Sequence, residues 1–144
     1  MPYSTIVKPK NVSKLFLRDQ NNMYENRQMG TLLGTAATAV YPIGTLLARA
    51  KDSADAGFKV AANEDLVATN ELAVLGGDRE SIWNDVNHTT GTASPIVYFS
   101  DRLSLDETEF FLINSAITDK AKVIAKLQSQ QIVFHKRAPS YTPV

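Results

Sequence analysis

The residues best suited to acid–base chemistry follow a pair of glycines in the middle of the chain. Asp78, Glu80 and Asp85 precede His88 within eleven residues, and a carboxylate and an imidazole in one loop could serve as a base and its orienting group. Such catalysis also needs a pocket that shifts pKa values, whereas the stretch Asp85–Pro95 is among the most polar of the chain. A solvated loop of turn-forming residues explains it better, and we predict that the protein is not an enzyme.

Metal and phosphate motifs are equally weak. The chain has no cysteine, so disulfides and thiolate metal sites are excluded. His88 and His135 have no companion ligand at helical or strand spacing. The segment from Asp52 to Gly57 lacks the alternating ligands and closing Glu of a calcium loop and fits a hairpin turn better. Gly76 and Gly77 have neither the spacing nor the following Lys of a phosphate-binding loop. We predict no metal and no cofactor.

Size and charge indicate a single domain with no affinity for nucleic acid. The 144 residues carry 15 basic and 15 acidic side chains, so the formal net charge is zero. Nucleic-acid binding requires a surplus of Lys and Arg on one face. The first 30 residues nevertheless hold five basic and two acidic side chains, and this asymmetry could orient the chain toward a partner. With no signal-peptide pattern and no apolar stretch of membrane-spanning length, we expect synthesis in the cytoplasm and no contact with a membrane.

The pattern of apolar residues predicts a mainly β fold with one C-terminal helix (α+β). Residues 1–30 contain little apolar content and form, in this interpretation, either a tail or an arm that becomes ordered on a partner. Residues 31–144 form the body. Tyr41–Arg49 and Phe58–Ala61 are typical of a hairpin. The segment 118–129 is the helix, with Thr118 as its N-cap and one apolar face.

Seven residues are predicted to form the core: Ile43, Leu46, Leu47, Val97, Phe99, Leu103 and Ile124. The helix adds an apolar face made of Ile117, Ala121, Ile124 and Leu127. The sequence does not separate core from interface for Phe16, Trp83, Phe110 and Phe111, nor strand from helix for residues 110–113.

The stretch from Gly30 to Ala50, with Tyr41-Pro-Ile-Gly-Thr-Leu-Leu at its centre, resembles the opening of tailed-phage head decoration (cement) proteins of the phage lambda head protein D kind. The run from Ala121 to Phe134 is similar to that family's closing helix and strand. Gln130 and Gln131 stand where such proteins often carry a glycine, and the polar loop around His88 looks like an insertion. The resemblance covers about two-thirds of the chain in pattern.

The resemblance implies a compact body of the β-clip or β-tulip kind, preceded by an extended N-terminal arm. It implies a homotrimer on the outer surface of the capsid, at three-fold and local three-fold positions. The partners would be the major capsid protein and, through the arm, neighbouring trimers, and the protein would stabilise the expanded head of the virion. The residues expected at these interfaces are Val12, Leu15, Phe16, Leu17, Tyr24, Arg27 and Trp83. Removal of residues 1–28 should then leave a folded body that no longer binds.

Two other functions fit the composition. Another virion component, such as a tail or neck protein or a displayed adhesin, would differ from a decoration protein in its symmetry. A small ligand-binding β-barrel would need a pocket lined by apolar groups, with the polar residues near His88 converging on it.

Overall fold

The computed structural model describes part of the chain, namely residues 15–16, 27–33, 39–52, 57–78, 86–88 and 93–136. Within these residues the fold is mainly β, as the sequence predicts. Its strands are β1 (Gln28–Leu32), β2 (Ala39–Tyr41), β3 (Leu46–Ala50), β4 (Lys59–Val60), β5 (Asn70–Asp78), β6 (Val86–His88), β7 (Ser94–Phe99), β8 (Leu103–Asp106) and β9 (Ile132–His135). Its α-helices are α1 (Glu107–Ile113) and α2 (Lys120–Ser129).

The main sheet has five antiparallel strands in the order β1-β7-β5-β3-β4. The pairing of β3 with β4 confirms the predicted hairpin. The sheet curls until its two edges meet, because Phe58, just before β4, exchanges backbone hydrogen bonds with the end of β1. Leu33 N donates to Phe58 O at 2.7 Å, and Phe58 N donates to Thr31 O at 2.8 Å. Pairing of this kind removes open edge from the sheet.

Two apolar cores lie on opposite faces of the same strands. The smaller core contains Leu32, Leu47, Phe58, Ala73, Leu75, Val86, Ile96 and Tyr98. The larger core includes Leu46, Ala48, Leu72, Val74 and Phe99 together with residues of both helices. Side chains alternate between faces along a strand, so Leu46 and Leu47 enter different cores. This explains why β3 and β5 are continuous apolar runs rather than alternating ones.

The larger core is covered by α1, α2 and a parallel pair of strands, β8 and β9. It also takes in two residues from the N-terminal stretch, Leu15 and Phe16, both of which are buried. The Phe16 ring packs edge-on to Phe99 with centroids 5.7 Å apart, and its backbone forms a bridge to Leu105. The body therefore includes parts of the first 30 residues, and β1 crosses the expected boundary at residue 30.

The second helix begins later than the sequence pattern indicates. The prediction of Thr118 as N-cap is wrong: the helix starts at Lys120, and the Asp119 carboxylate accepts a hydrogen bond from Lys122 N at 3.3 Å. Thr118 N and Asp119 N both donate to the side-chain oxygen of Asn63. This contact fixes the approach to the helix in a non-helical conformation, which a local pattern does not reveal.

The apolar face of α2 is also shifted. Val123 and Leu127, one turn apart, are fully buried, Ile124 is half-buried and Ala121 is exposed. Ile117 is buried but lies before the helix, so it does not fix the helical phase. The predicted face was wrong at Ala121 for this reason.

The other core predictions are confirmed for six of the seven residues, and Ile124 packs against the larger core while half-buried. Of the residues left open, Phe16, Phe110 and Phe111 are buried in the larger core, and residues 110–113 are helical. The segment 85–95 is not wholly a loop. Val86–His88 forms β6, paired with β2, and β7 begins at Ser94.

Candidate interaction surface

The first strand of the main sheet is held by side chains that lie on its inner side. The Tyr98 hydroxyl donates to Gln28 Oε1, and Gln28 Nε2 donates to Ser100 Oγ, both at 2.9 Å. The Tyr98 ring lies so close to Gly30 that a Cβ at that position would be 2.7 Å from it. Only glycine fits beneath the ring, which explains the glycine in the middle of a strand.

An arginine secures the same end of the curled sheet. The Arg49 guanidinium lies 4.3 Å from the centroid of the Phe58 ring and 5.6 Å from that of Tyr98. Its Nε also donates to the Glu71 carboxylate on the neighbouring strand β5. Arginine stacks on aromatic faces while it binds carboxylates, so one side chain connects β3, β5 and the two aromatic rings next to β1.

The outer side of β1 is exposed and largely apolar. Met29, Thr31 and Leu33 alternate with inward residues, and Pro95 of β7 lies opposite Thr31 in the register. Met29 is 60% exposed and Leu33 is 38% exposed. We call these four residues the β1 face. Exposed apolar side chains that share one side of a strand can form part of an interaction surface. Sequence reasoning missed Met29 and Leu33, although their alternation with Gly30 and Leu32 was visible.

The residues predicted at interfaces do not form one surface in the described part of the chain. Leu15 and Phe16 are buried within the larger core. Arg27 is exposed directly before β1, next to the β1 face. The remaining four, Val12, Leu17, Tyr24 and Trp83, lie outside the described residues.

The candidate acid–base residues are described only in part. Asp78 ends β5 and is half-buried, and the backbone of His88 ends β6. Glu80, Asp85 and the side chain of His88 lie outside the described residues. Within the residues that the structure does describe, no group of three or more His, Asp or Glu side chains could hold a metal ion.

A polar cleft of about 290 Å³ lies between α2 and the ends of β5 and β7. Lys126 Nζ donates to Val67 O at 2.8 Å and Asn70 O at 3.0 Å. Burial, together with the charge of Lys51, lowers the pKa of Lys126. Gln130 Nε2 donates to Leu72 O at 2.7 Å. These groups bind one another, so the cleft serves to attach α2 to the sheet.

The pKa of a second lysine, Lys59 in β4, is shifted in the opposite direction. Hydrogen bonding to the buried Asp65 carboxylate, at 2.6 Å, raises the pKa of Lys59. The same carboxylate accepts from Ala62 N at 2.8 Å. The arrangement closes the turn after β4 and has the character of a structural ion pair.

In the described residues, every helix is too short or too polar to cross a membrane.

Comparison with known proteins identifies no relative of this chain. The chain matches no protein-family model, no curated protein and no solved structure.

Proposed function

We propose that the protein is a structural virion protein that binds the outer surface of a tailed-phage capsid. It occupies three-fold and local three-fold positions as a homotrimer, contacts the major capsid protein and stabilises the expanded head. The body is of the β-clip or β-tulip kind, and residues of its N-terminal arm reach neighbouring trimers. The pattern shared with decoration proteins from Gly30 to Ala50 and from Ala121 to Phe134 supports this proposal.

The β1 face is the observation that carries the proposal. It presents Met29 of β1, and Leu33 directly after β1, to solvent, and Tyr98 and Gln28 fix the inner side of the strand. Arg27 lies directly before it and adds positive charge. A rigid strand with an apolar outer side can bind a partner with little ordering cost. We therefore place the β1 face against the capsid protein.

The test uses expanded empty heads assembled from the major capsid protein encoded in the same genome. The purified protein is mixed with these heads, which are then sedimented, and the bound copies per head are counted. The proposal expects near-stoichiometric occupancy of the three-fold positions. Wild-type protein that stays in the supernatant while the heads sediment would overturn it and favour a tail component or a ligand-binding domain.

Two substitutions locate the contact. Met29→Asp puts a charge on the β1 face and should weaken head binding about tenfold or more, as expected for the loss of a central apolar contact. Val67→Asp is the matched control, because Val67 is also exposed, at 45%, but lies on the turn before β5. Equal head binding by both variants would remove the β1 face from the contact.

A further inference from the structure

A second surface, on the helical side of the body, is a groove lined by both apolar and charged side chains. The groove has a volume of about 510 Å³ and is open to solvent. Its described lining residues are Glu107, Thr108, Phe111, Leu112, Lys120 and Lys136. They come from α1, the first residue of α2 and the residue that follows β9, so the groove lies where three elements that cover the larger core reach the surface.

The apolar part of the groove is held rigidly. The Phe111 ring stacks on Phe134 with centroids 5.7 Å apart and packs edge-on to Phe110 at 5.1 Å. This aromatic cluster belongs to the larger core and fixes the side of Phe111 that faces the groove. Leu112, next along α1, is 67% exposed. Only 7% of Phe111 is exposed, so the ring contributes a fixed edge to the floor of the groove, and Leu112 provides the exposed apolar contact.

The charged part of the groove has an excess of positive charge. Lys120 Nζ lies 5.3 Å from the centroid of the Phe111 ring. Lys136 Nζ lies 3.9 Å from the Glu107 carboxylate, and the lysine side chain is 84% exposed. An exposed ion pair at this distance is weak, so Lys136 is able to exchange Glu107 for another carboxylate. Two ammonium groups facing one carboxylate favour an anionic occupant.

We propose that this groove binds a short peptide segment of a partner protein that carries a carboxylate next to an apolar side chain. The apolar side chain lies against Phe111 and Leu112, and the carboxylate is bound by Lys120 and Lys136. The groove shares no residue with the β1 face, and the proposal does not depend on capsid binding.

The experiment is a titration of the full-length, isotope-labelled protein with the peptide Gly-Glu-Leu-Asp-Phe-Gly, followed by the backbone amide shifts. The shifts expected to move with saturation are those of Phe111, Leu112, Lys120 and Lys136. A peptide with Gln and Asn in place of its acids should bind about fivefold more weakly, the effect of one lost ion pair. No saturable shift at millimolar peptide, or shifts confined to other regions, would overturn the proposal.

Three variants distinguish the groove from general positive charge. Leu112→Asp and Lys120→Gln should each weaken peptide binding about fivefold or more. Lys122→Gln is the control, because Lys122 is an exposed lysine of the same helix that contacts Asp119 outside the groove. It should change the affinity less than twofold. Equal losses of peptide affinity in Lys120→Gln and Lys122→Gln would show that only the net charge of the protein matters, and would overturn the proposal.

The last part of the experiment is a titration with inorganic phosphate alone. If phosphate alone moves the same four amides and the peptide has no further effect, the groove is an anion site only and the peptide proposal fails. A peptide shift that persists in saturating phosphate supports the apolar contact to Phe111 and Leu112.

Discussion

At the scale of single residues, Gln131 has a backbone conformation that is unfavourable for a residue with a side chain. It has a φ of 64°, the left-handed conformation that favours glycine, at the turn between α2 and β9. Gln130, just before it, donates hydrogen bonds to Leu72 O and Ser100 O. These bonds hold the turn in place and with it the backbone conformation of Gln131. Glycine adopts this backbone conformation without the steric cost that a Cβ brings.

The substitution Gln131→Gly should therefore stabilise the protein. The left-handed conformation costs a non-glycine residue about 1 to 2 kcal/mol, and the greater freedom of glycine in the unfolded chain offsets about half of that. We expect the free energy of unfolding in urea to rise by about 0.5 to 1 kcal/mol.

The control is Gln128→Gly, at an exposed position inside α2. Glycine there should lower the free energy of unfolding by about 1 kcal/mol. Loss of stability in both variants would show that the Gln131 side chain contributes more than its backbone conformation costs.

At the scale of elements, a buried amide joins the end of α1 to the main sheet. Asn114 follows α1, accepts from Leu46 N at 2.6 Å and donates to Gly44 O at 2.9 Å. Both backbone groups lie at the entry to β3, where Gly44 has a φ of 97°. The Asn114 side chain thus supplies hydrogen bonds to a stretch of chain that turns into the core.

Asn114→Ala should be among the more costly substitutions in the body. It leaves a buried N–H and a buried carbonyl without their partner, at about 1 to 3 kcal/mol each. We expect a loss of about 2 to 4 kcal/mol in the free energy of unfolding, measured by urea denaturation.

Asn63→Ala provides the comparison at an exposed site. Asn63 also bridges two segments, since its side chain accepts from Thr118 N and donates to Ala116 O. Water can replace these exposed bonds, so we expect a loss of less than about 1 kcal/mol. Similar losses at both positions would refute the importance of burial at Asn114.

At the scale of the whole molecule, the described parts of the first 30 residues, namely 15–16 and 27–30, belong to the body. Leu15 and Phe16 fill the larger core against Phe99, and Gln28 binds Tyr98 and Ser100 on the inner side of β1. Deletion of residues 1–28 removes all three. These contacts argue against the expectation that such a deletion leaves an intact body.

We predict that the 1–28 deletion unfolds or strongly destabilises the protein. Loss of two large buried apolar side chains costs on the order of 5 kcal/mol or more, which is comparable to the whole stability of a small domain. Thermal unfolding followed by circular dichroism measures this.

A deletion of residues 1–11 keeps Leu15, Phe16 and β1, so it should melt at a higher temperature than the 1–28 deletion. This shorter deletion separates binding by the N-terminus from folding. If both truncated proteins melt with the full-length chain, the burial of Leu15 and Phe16 contributes little to stability.

The sequence by itself determined the fold class, the β3–β4 hairpin, the approximate place of α2 and most of the core. These follow from local patterns, since Leu46, Leu47 and Phe99 lie in apolar runs bounded by turn residues. The tertiary structure decided the rest. The start of α2 depends on Asn63, which is 55 residues from Thr118, and the position of β6 depends on its pairing with β2. The β1 face and the groove at Phe111 arise because distant segments leave one side of an element uncovered, and no local pattern records which side that is.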